Sequence, residues 1–206
     1  MAEEYTGVCE LCGHEAPRAQ MARHLAACAP KHDRRSRAEP FVQLHIEADG
    51  APEYWLYVEG RNPSPLEELD DLLRHVWLEC CGHMSAFRRG RVELSMRAAL
   101  GSLPHRGIGF QYEYDFGSTT ALRGKVLGYR EGSLGRNAVR LLARNTPPKL
   151  TCASCDSPAT LVCPLCIDSY LFCKTHARRH PCAREDENVF LPAVNSPRMG
   201  VCGYTG

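Results

Sequence analysis

The chain has 206 residues, 25 basic against 24 acidic side chains and a formal net charge of +1, so overall charge gives no vote for a polyanion-binding protein. The length suits one medium domain with small satellites, or two compact domains. The amino terminus, MAEEYTGVCELCG, has no apolar h-region, and no stretch reaches the roughly 18 apolar residues of a bilayer-spanning helix, which points to a cytoplasmic protein without membrane association. In that compartment twelve cysteines are better explained by metal than by disulfides.

Charge is unevenly spread. Residues 41–83 carry two Arg against nine acidic residues, and residues 84–150 carry twelve Lys and Arg against four. Neighbouring patches of opposite sign are expected to pair within one folded domain; the alternative is a basic surface for phosphate.

Taken in order, Cys9 and Cys12 form a CxxC knuckle, and His24 and Cys28 follow, four residues apart on a short helix expected over 16–27. That spacing puts both ligands on one helical face, turned toward the knuckle. The pattern resembles a single CCHC zinc finger, here residues 1–32, although the aromatic residue that usually precedes the helix of such a finger is missing. His14 and His32 read as exposed neighbours. Residues 33–40 are polar and charged and read as a linker; its Arg34, Arg35 and Arg37, with the basic segment 84–150, are where a nucleic acid would touch.

Residues 41–146 read as an α+β domain with antiparallel hairpins and one main amphipathic helix. Val42, Leu44 and Ile46 alternate with polar residues as in a half-buried strand, and Asp49-Gly50 turns the chain into a second strand at 54–58. Ser64-Pro65-Leu66-Glu67 has the form of a capping box. The helix it opens carries Leu66, Leu69, Leu72, Leu73, Val76, Trp77 and Cys80 on one face and Glu67, Glu68, Asp70, Asp71 and Arg74 on the other, stopping near Gly82. Cys80 and Cys81 are expected to be buried thiols at its end, since adjacent cysteines are poorly placed to chelate one ion; the role of His83 stays open.

Phe110, Tyr112, Tyr114 and Phe116 alternate along a strand that breaks at 117–119 and returns at 122–127. Gly128 to Gly135 reads as a glycine-rich connection and 138–144 as a strand. Tyr114-Asp115-Phe116-Gly117, with Trp77, His83 and Phe87 upstream, resembles the Ri-plasmid open-reading-frame-three-like family of transposon passenger proteins. The resemblance implies a small α+β domain over about 40–145. Ser118 and Thr120 stand where family members carry Asp and a nearby Trp, which leaves Asp115 as a turn residue bonded to its own backbone. A pocket of Tyr114, Asp115, His83 and His105 would be the place for any catalysis.

Residues 147–184 hold eight more candidate ligands: Cys152, Cys155, Cys163, Cys166, Cys173, His176, His180 and Cys182. Thiolate and imidazole are what tetrahedral zinc selects, and four pairs supply two closed sites. The spacing resembles B-box and HIT-type two-zinc modules. The B-box resemblance implies a cross-brace, with Cys152, Cys155, Cys173 and His176 on one ion and Cys163, Cys166, His180 and Cys182 on the other; consecutive pairing is the alternative. Three zinc ions per chain are expected in all.

The final segment, 185–206, lacks periodicity and reads as an extended tail with Cys202 an unpaired thiol. Its Val201-Cys202-Gly203-Tyr204 resembles the glycyl-radical motif of anaerobic ribonucleotide reductases, which implies a radical on Gly203 beside Cys202. Arg198 is misplaced for that motif, and 206 residues cannot hold the barrel such enzymes use. The function expected is that of a non-catalytic zinc protein contacting a macromolecular partner, a protein ahead of a nucleic acid, with oligomeric state open.

Overall fold

The computed structural model describes residues 5–35, 37–104, 107–166, 170–186 and 188–206. His105, named above for a catalytic pocket, lies outside the described residues. The fold is α+β, dominated by an antiparallel sheet, with Cys/His clusters toward both ends. Two compact units emerge, Met1–His75 with Met84–Thr146, and Val76–His83 with Pro147–Gly206.

The first unit contains β1 (Thr6–Cys9), β2 (Glu15–Pro17), α1 (Arg18–Cys28), β3 (Glu39–Ala48), β4 (Ala51–Arg61), α2 (Leu66–Leu73), β5 (Ser85–Arg89), β6 (Val92–Leu94), β7 (Gly109–Tyr114), β8 (Thr120–Gly132) and β9 (Val139–Asn145). The strand order is β2-β1-β9-β4-β3-β8-β7-β5-β6, and neighbouring strands are antiparallel. Alternation sets the faces: Phe110, Tyr112 and Tyr114 of β7 are buried. Phe116, one period further, is 48% exposed, because the strand has already ended.

Several sequence expectations are corrected here. β8 continues through the residues read as a glycine-rich connection, because β3 supplies partners as far as Glu39 opposite Gly132; a bulge at Leu127 absorbs the register shift. In β9 the consecutive residues Leu142 and Ala143 are both buried, which simple strand alternation does not allow, because a bulge at Leu142 against β4 resets the register. The Ser64 side chain makes no capping hydrogen bond to α2. Instead the amides of Leu66 and Glu67 donate to the carbonyls of Ala98 and Met96 at 2.9 and 3.0 Å, satisfying groups that a cap would otherwise serve. The helix also ends early, passing into a π-helical turn over Arg74–Leu78. Asp70 faces inward, accepting from the Tyr112 hydroxyl (2.7 Å), the Ser85 hydroxyl (2.6 Å) and Arg74 Nε (2.7 Å). The residue had looked solvent-facing because its type is acidic; three donors make its burial tolerable.

The oppositely charged runs meet inside this unit. Arg123 pairs with Asp49 at 3.1 Å, and Arg130 and Arg140 close on the fully buried Glu59 at 2.6 and 2.7 Å. Asp33, from the segment read as a linker, completes the cluster against Arg130 at 2.8 Å. That guanidinium, by hydrogen bond, holds the Asp33 carboxyl below its usual range.

β1 hydrogen-bonds to β9, which joins the amino-terminal residues to the sheet. The aromatic residue missing before α1 is replaced from β4: Trp55 and Tyr57 pack with Met21, Leu25, Cys9 and Cys28 in one buried cluster.

The second unit is built on a small sheet, order β11-β10-β12, from β10 (Leu161–Val162), β11 (Leu171–Phe172) and β12 (Leu191–Pro192), with one-turn helices α3 (Lys174–Ala177) and α4 (Cys182–Glu185). The segment expected to be an extended tail runs through β12 and then a series of turns in which Arg198 and Tyr204 are buried. Among the described residues no helix is long and apolar enough to cross a membrane.

Candidate metal centres

The amino-terminal set is built by a hairpin and a helix. β1 ends at Cys9, the knuckle turns back through a 2.8 Å bond from Gly13 N to Cys9 O, and α1 brings round His24 and Cys28 one helical turn apart. Cys9 and Cys28 sulfurs lie 3.9 Å apart, and Cys12 Sγ is 3.4 Å from His24 Nε2. Burial, with His14 and Lys31 nearby, lowers the pKa of the His24 imidazole. Burial also pushes the Cys28 thiol up to about 12, whereas the backbone of His14 lowers Cys12.

In the second unit the β10–β11 hairpin separates two sets. Cys152 and Cys155 lie with Cys173, which follows β11, and with His176 on α3. His176 Nδ1 stands 3.5 and 3.4 Å from the sulfurs of Cys152 and Cys173, and Cys155 and Cys173 are 4.0 Å apart. Cys163 and Cys166 lie with His180 and Cys182; Cys166 Sγ is 3.2 Å from His180 Nε2 and 4.0 Å from Cys182 Sγ. The grouping is first pair with third and second with fourth. Burial works to raise the Cys152 thiol, but backbone donors at Cys173 and Ser154, with Cys155 and His176, outweigh it and hold it at about 6. Burial pushes Cys166 up to about 11. A metal filling these sets must therefore displace protons, and its affinity rises with pH.

In all three sets the four donor atoms lie within 4.8 Å of one another. Zinc–sulfur and zinc–nitrogen bonds of about 2.3 and 2.0 Å imply tetrahedron edges of about 3.8 Å between sulfurs and about 3.5 Å between sulfur and nitrogen. The contacts above match those edges. They are far from a disulfide, whose sulfurs are about 2.05 Å apart. The donor chemistry fits zinc, and the surroundings are small: Phe172 packs on the His180 ring at 4.5 Å between centroids, Phe190 meets both rings edge-on at 5.8 Å, and the rest of that core is mostly the cysteines themselves.

A fourth group was missed. Cys80, Cys81, His83 and Cys202 also place their donor atoms within 4.8 Å of one another. Cys81 and Cys202 are exposed and Cys80 is half-buried, which corrects the expectation of buried thiols at 80 and 81; Cys202 is a free thiol, as expected, but it stands beside Cys81 and His83. The only sequence signal was the short Cys-Cys-x-His run, whose partner lies more than a hundred residues away. Gly203, named for a radical, is exposed, and its neighbour's sulfur belongs to this group. Asp115 has φ +63° and its Oδ1 accepts from Gly117 N at 3.0 Å, as a turn residue does.

No known protein family matches the chain, and no curated protein matches it. A crystal structure of a protein of unknown function from Methanosarcina mazei Go1 is similar over 52% of this chain and 70% of that one, with 14% identity and a TM-score of 0.44, too distant to carry an argument.

Proposed function

We propose that the protein is a non-catalytic zinc-binding interaction protein whose structural metal sites, at Cys9, Cys12, His24 and Cys28 and at the two tetrads of residues 152–182, present rigid loops to a protein partner. One observation carries this reading: each of the three sets closes four protein donors on one point, leaving no position for a reacting water, as structural rather than catalytic zinc requires. Metal bonds then replace the hydrophobic interior that so short a module cannot build. The second knuckle, read as B-box-like, carries Leu165 at its tip, 66% exposed, with Tyr170 partly exposed just after it. Apolar side chains held out by a metal-stiffened loop suit a protein surface.

A nucleic-acid partner is the second reading, supported by the exposed Arg34, Arg35 and Arg37. Against it, Arg88, Arg123, Arg130 and Arg140 of the basic segment are already engaged by carboxylates. The central sheet is read as a domain of the plasmid open-reading-frame-three-like kind on its Tyr114-Asp115-Phe116-Gly117 run.

The test is affinity capture from lysate with the wild type and with Leu165→Asp, alongside retention on DNA and RNA at low salt. A protein bound by the wild type and lost from Leu165→Asp supports the reading. Salt-sensitive retention on nucleic acid with no such protein overturns it in favour of the second.

A further inference from the structure

We propose that Cys80, Cys81, His83 and Cys202 form a fourth zinc site, which fastens residues 196–204 to residues 76–83. Both stretches belong to the same compact unit. The inference goes beyond the three ions assigned above and is independent of any partner.

The geometry is that of the other three sets. Cys81 Sγ lies 3.8 Å from Cys202 Sγ, and His83 Nε2 lies 3.3 Å from the same sulfur, again close to the edges of a zinc tetrahedron. Three thiolates and an imidazole, all from protein, select zinc over oxygen-loving cations and leave no open position.

Adjacent cysteines ordinarily project to opposite sides of an extended chain. Here Cys80 and Cys81 sit in a bend that leads into Gly82 at φ +71°, so both sulfurs reach one point. Cys202 itself has φ +50°, a conformation that a non-glycine residue holds only when its surroundings impose it. A bond from its sulfur to zinc is such a constraint.

A second, independent observation concerns Cys80. Arg198 is 0% exposed and donates from Nε to Cys80 Sγ at 3.4 Å. A planar guanidinium fork held in one place by burial fixes the position of the sulfur to which it donates. Metal ligands are commonly oriented by a donor behind them in this way. The register between the two stretches is fixed beside it: Ser196 Oγ donates to Trp77 O at 2.6 Å and accepts from Arg198 N at 2.9 Å.

The test uses full-length protein purified under reductant, with zinc counted by plasma mass spectrometry. Four zinc per chain are expected for the wild type and for Thr205→Ala, and one fewer for Cys202→Ala and for Cys81→Ala. Equal zinc in wild type and Cys202→Ala overturns the proposal. Because a variant could lose metal by misfolding, a second measurement is made on the wild type alone. Cys81 and Cys202, although exposed, should resist alkylation by N-ethylmaleimide until a chelator is added. Labelling equally fast before and after chelation, or a Cys81–Cys202 disulfide in the reduced preparation, overturns the site. Three zinc unchanged by Cys202→Ala leaves the three-site reading standing, whereas none at all removes both.

Discussion

Gly7 faces the Trp55 ring at such short range that a Cβ at residue 7 would fall 2.3 Å from Cη2 and 2.4 Å from the Arg144 carbonyl oxygen. Neither neighbour can yield easily, one being a fully buried indole and the other backbone of the adjacent strand. Gly7→Ala should therefore destabilise the first unit by about 1–3 kcal/mol, and Trp55→Ala, which empties the cluster beneath α1, by about 3–5 kcal/mol. Urea unfolding followed by circular dichroism measures both. A Gly7→Ala protein as stable as wild type would contradict the close packing of ring on strand.

Glu59 offers a different kind of test. Its buried carboxylate is shared by Arg130 and Arg140, with Gln43 Nε2 a further donor at 3.3 Å. Removing it leaves two guanidinium groups with Asp33 and the backbone carbonyls of Ala29, His32 and Glu131 to answer them. Glu59→Leu should cost about 3–5 kcal/mol despite its apolar gain. The Arg130→Met/Glu59→Leu double variant should cost less than the sum of the single changes, since the unpaired charge is reduced.

Acid should act on the sheet through His45. Burial, with Lys125 and Arg18 nearby, holds its pKa down to about 4 against an ordinary value of 6.5. The folded protein thus keeps the ring neutral where the unfolded chain protonates it. The sign follows: the unfolded state binds the extra proton between about pH 6.5 and 4, so stability falls as pH drops through that window and levels off below it. The difference amounts to about 3 kcal/mol at its limit. Comparing wild type with His45→Gln across pH 4–7 isolates this contribution from any metal release common to both. A difference that does not vary with pH would refute it.

Metal content of the second unit should respond to its ligands in pairs. Cys152→Ala should remove one zinc, Cys163→Ala another, and the double variant two. Because the sheet β10–β12 is only two residues per strand, amide exchange in residues 147–192 should accelerate by orders of magnitude in the double variant while β3, β4 and β8 keep their protection. Unchanged exchange would mean that the module stands without metal.

Much of this was legible from local pattern. Residues 41–48 and 109–114 announce their strands by alternation, and the CxxC pairs announce their groups by spacing, because both signals act over a few residues. What escaped depends on distant partners. β8 runs on because β3 is there to receive it, Asp70 turns inward because Tyr112 and Ser85 donate to it, and Ser64 does not cap α2 because carbonyls from residues 96–98 already serve its amides. Cys202 illustrates the point most sharply: nothing near it in the sequence says that its sulfur meets His83. The hairpin β5–β6 was missed for want of alternation in so short a stretch.

The margins of the nine-stranded sheet are both three residues long, β2 at one side and β6 at the other. Short margins protect a sheet against docking with its neighbours in solution. On one side the protection is chemical, because β2 is reached only through β1, and β1 ends in Cys9. Removing zinc from that proposed site should let the small hairpin peel away and free residues 143–145 of β9, so prolonged storage in chelator should turn a clear solution into one that scatters light.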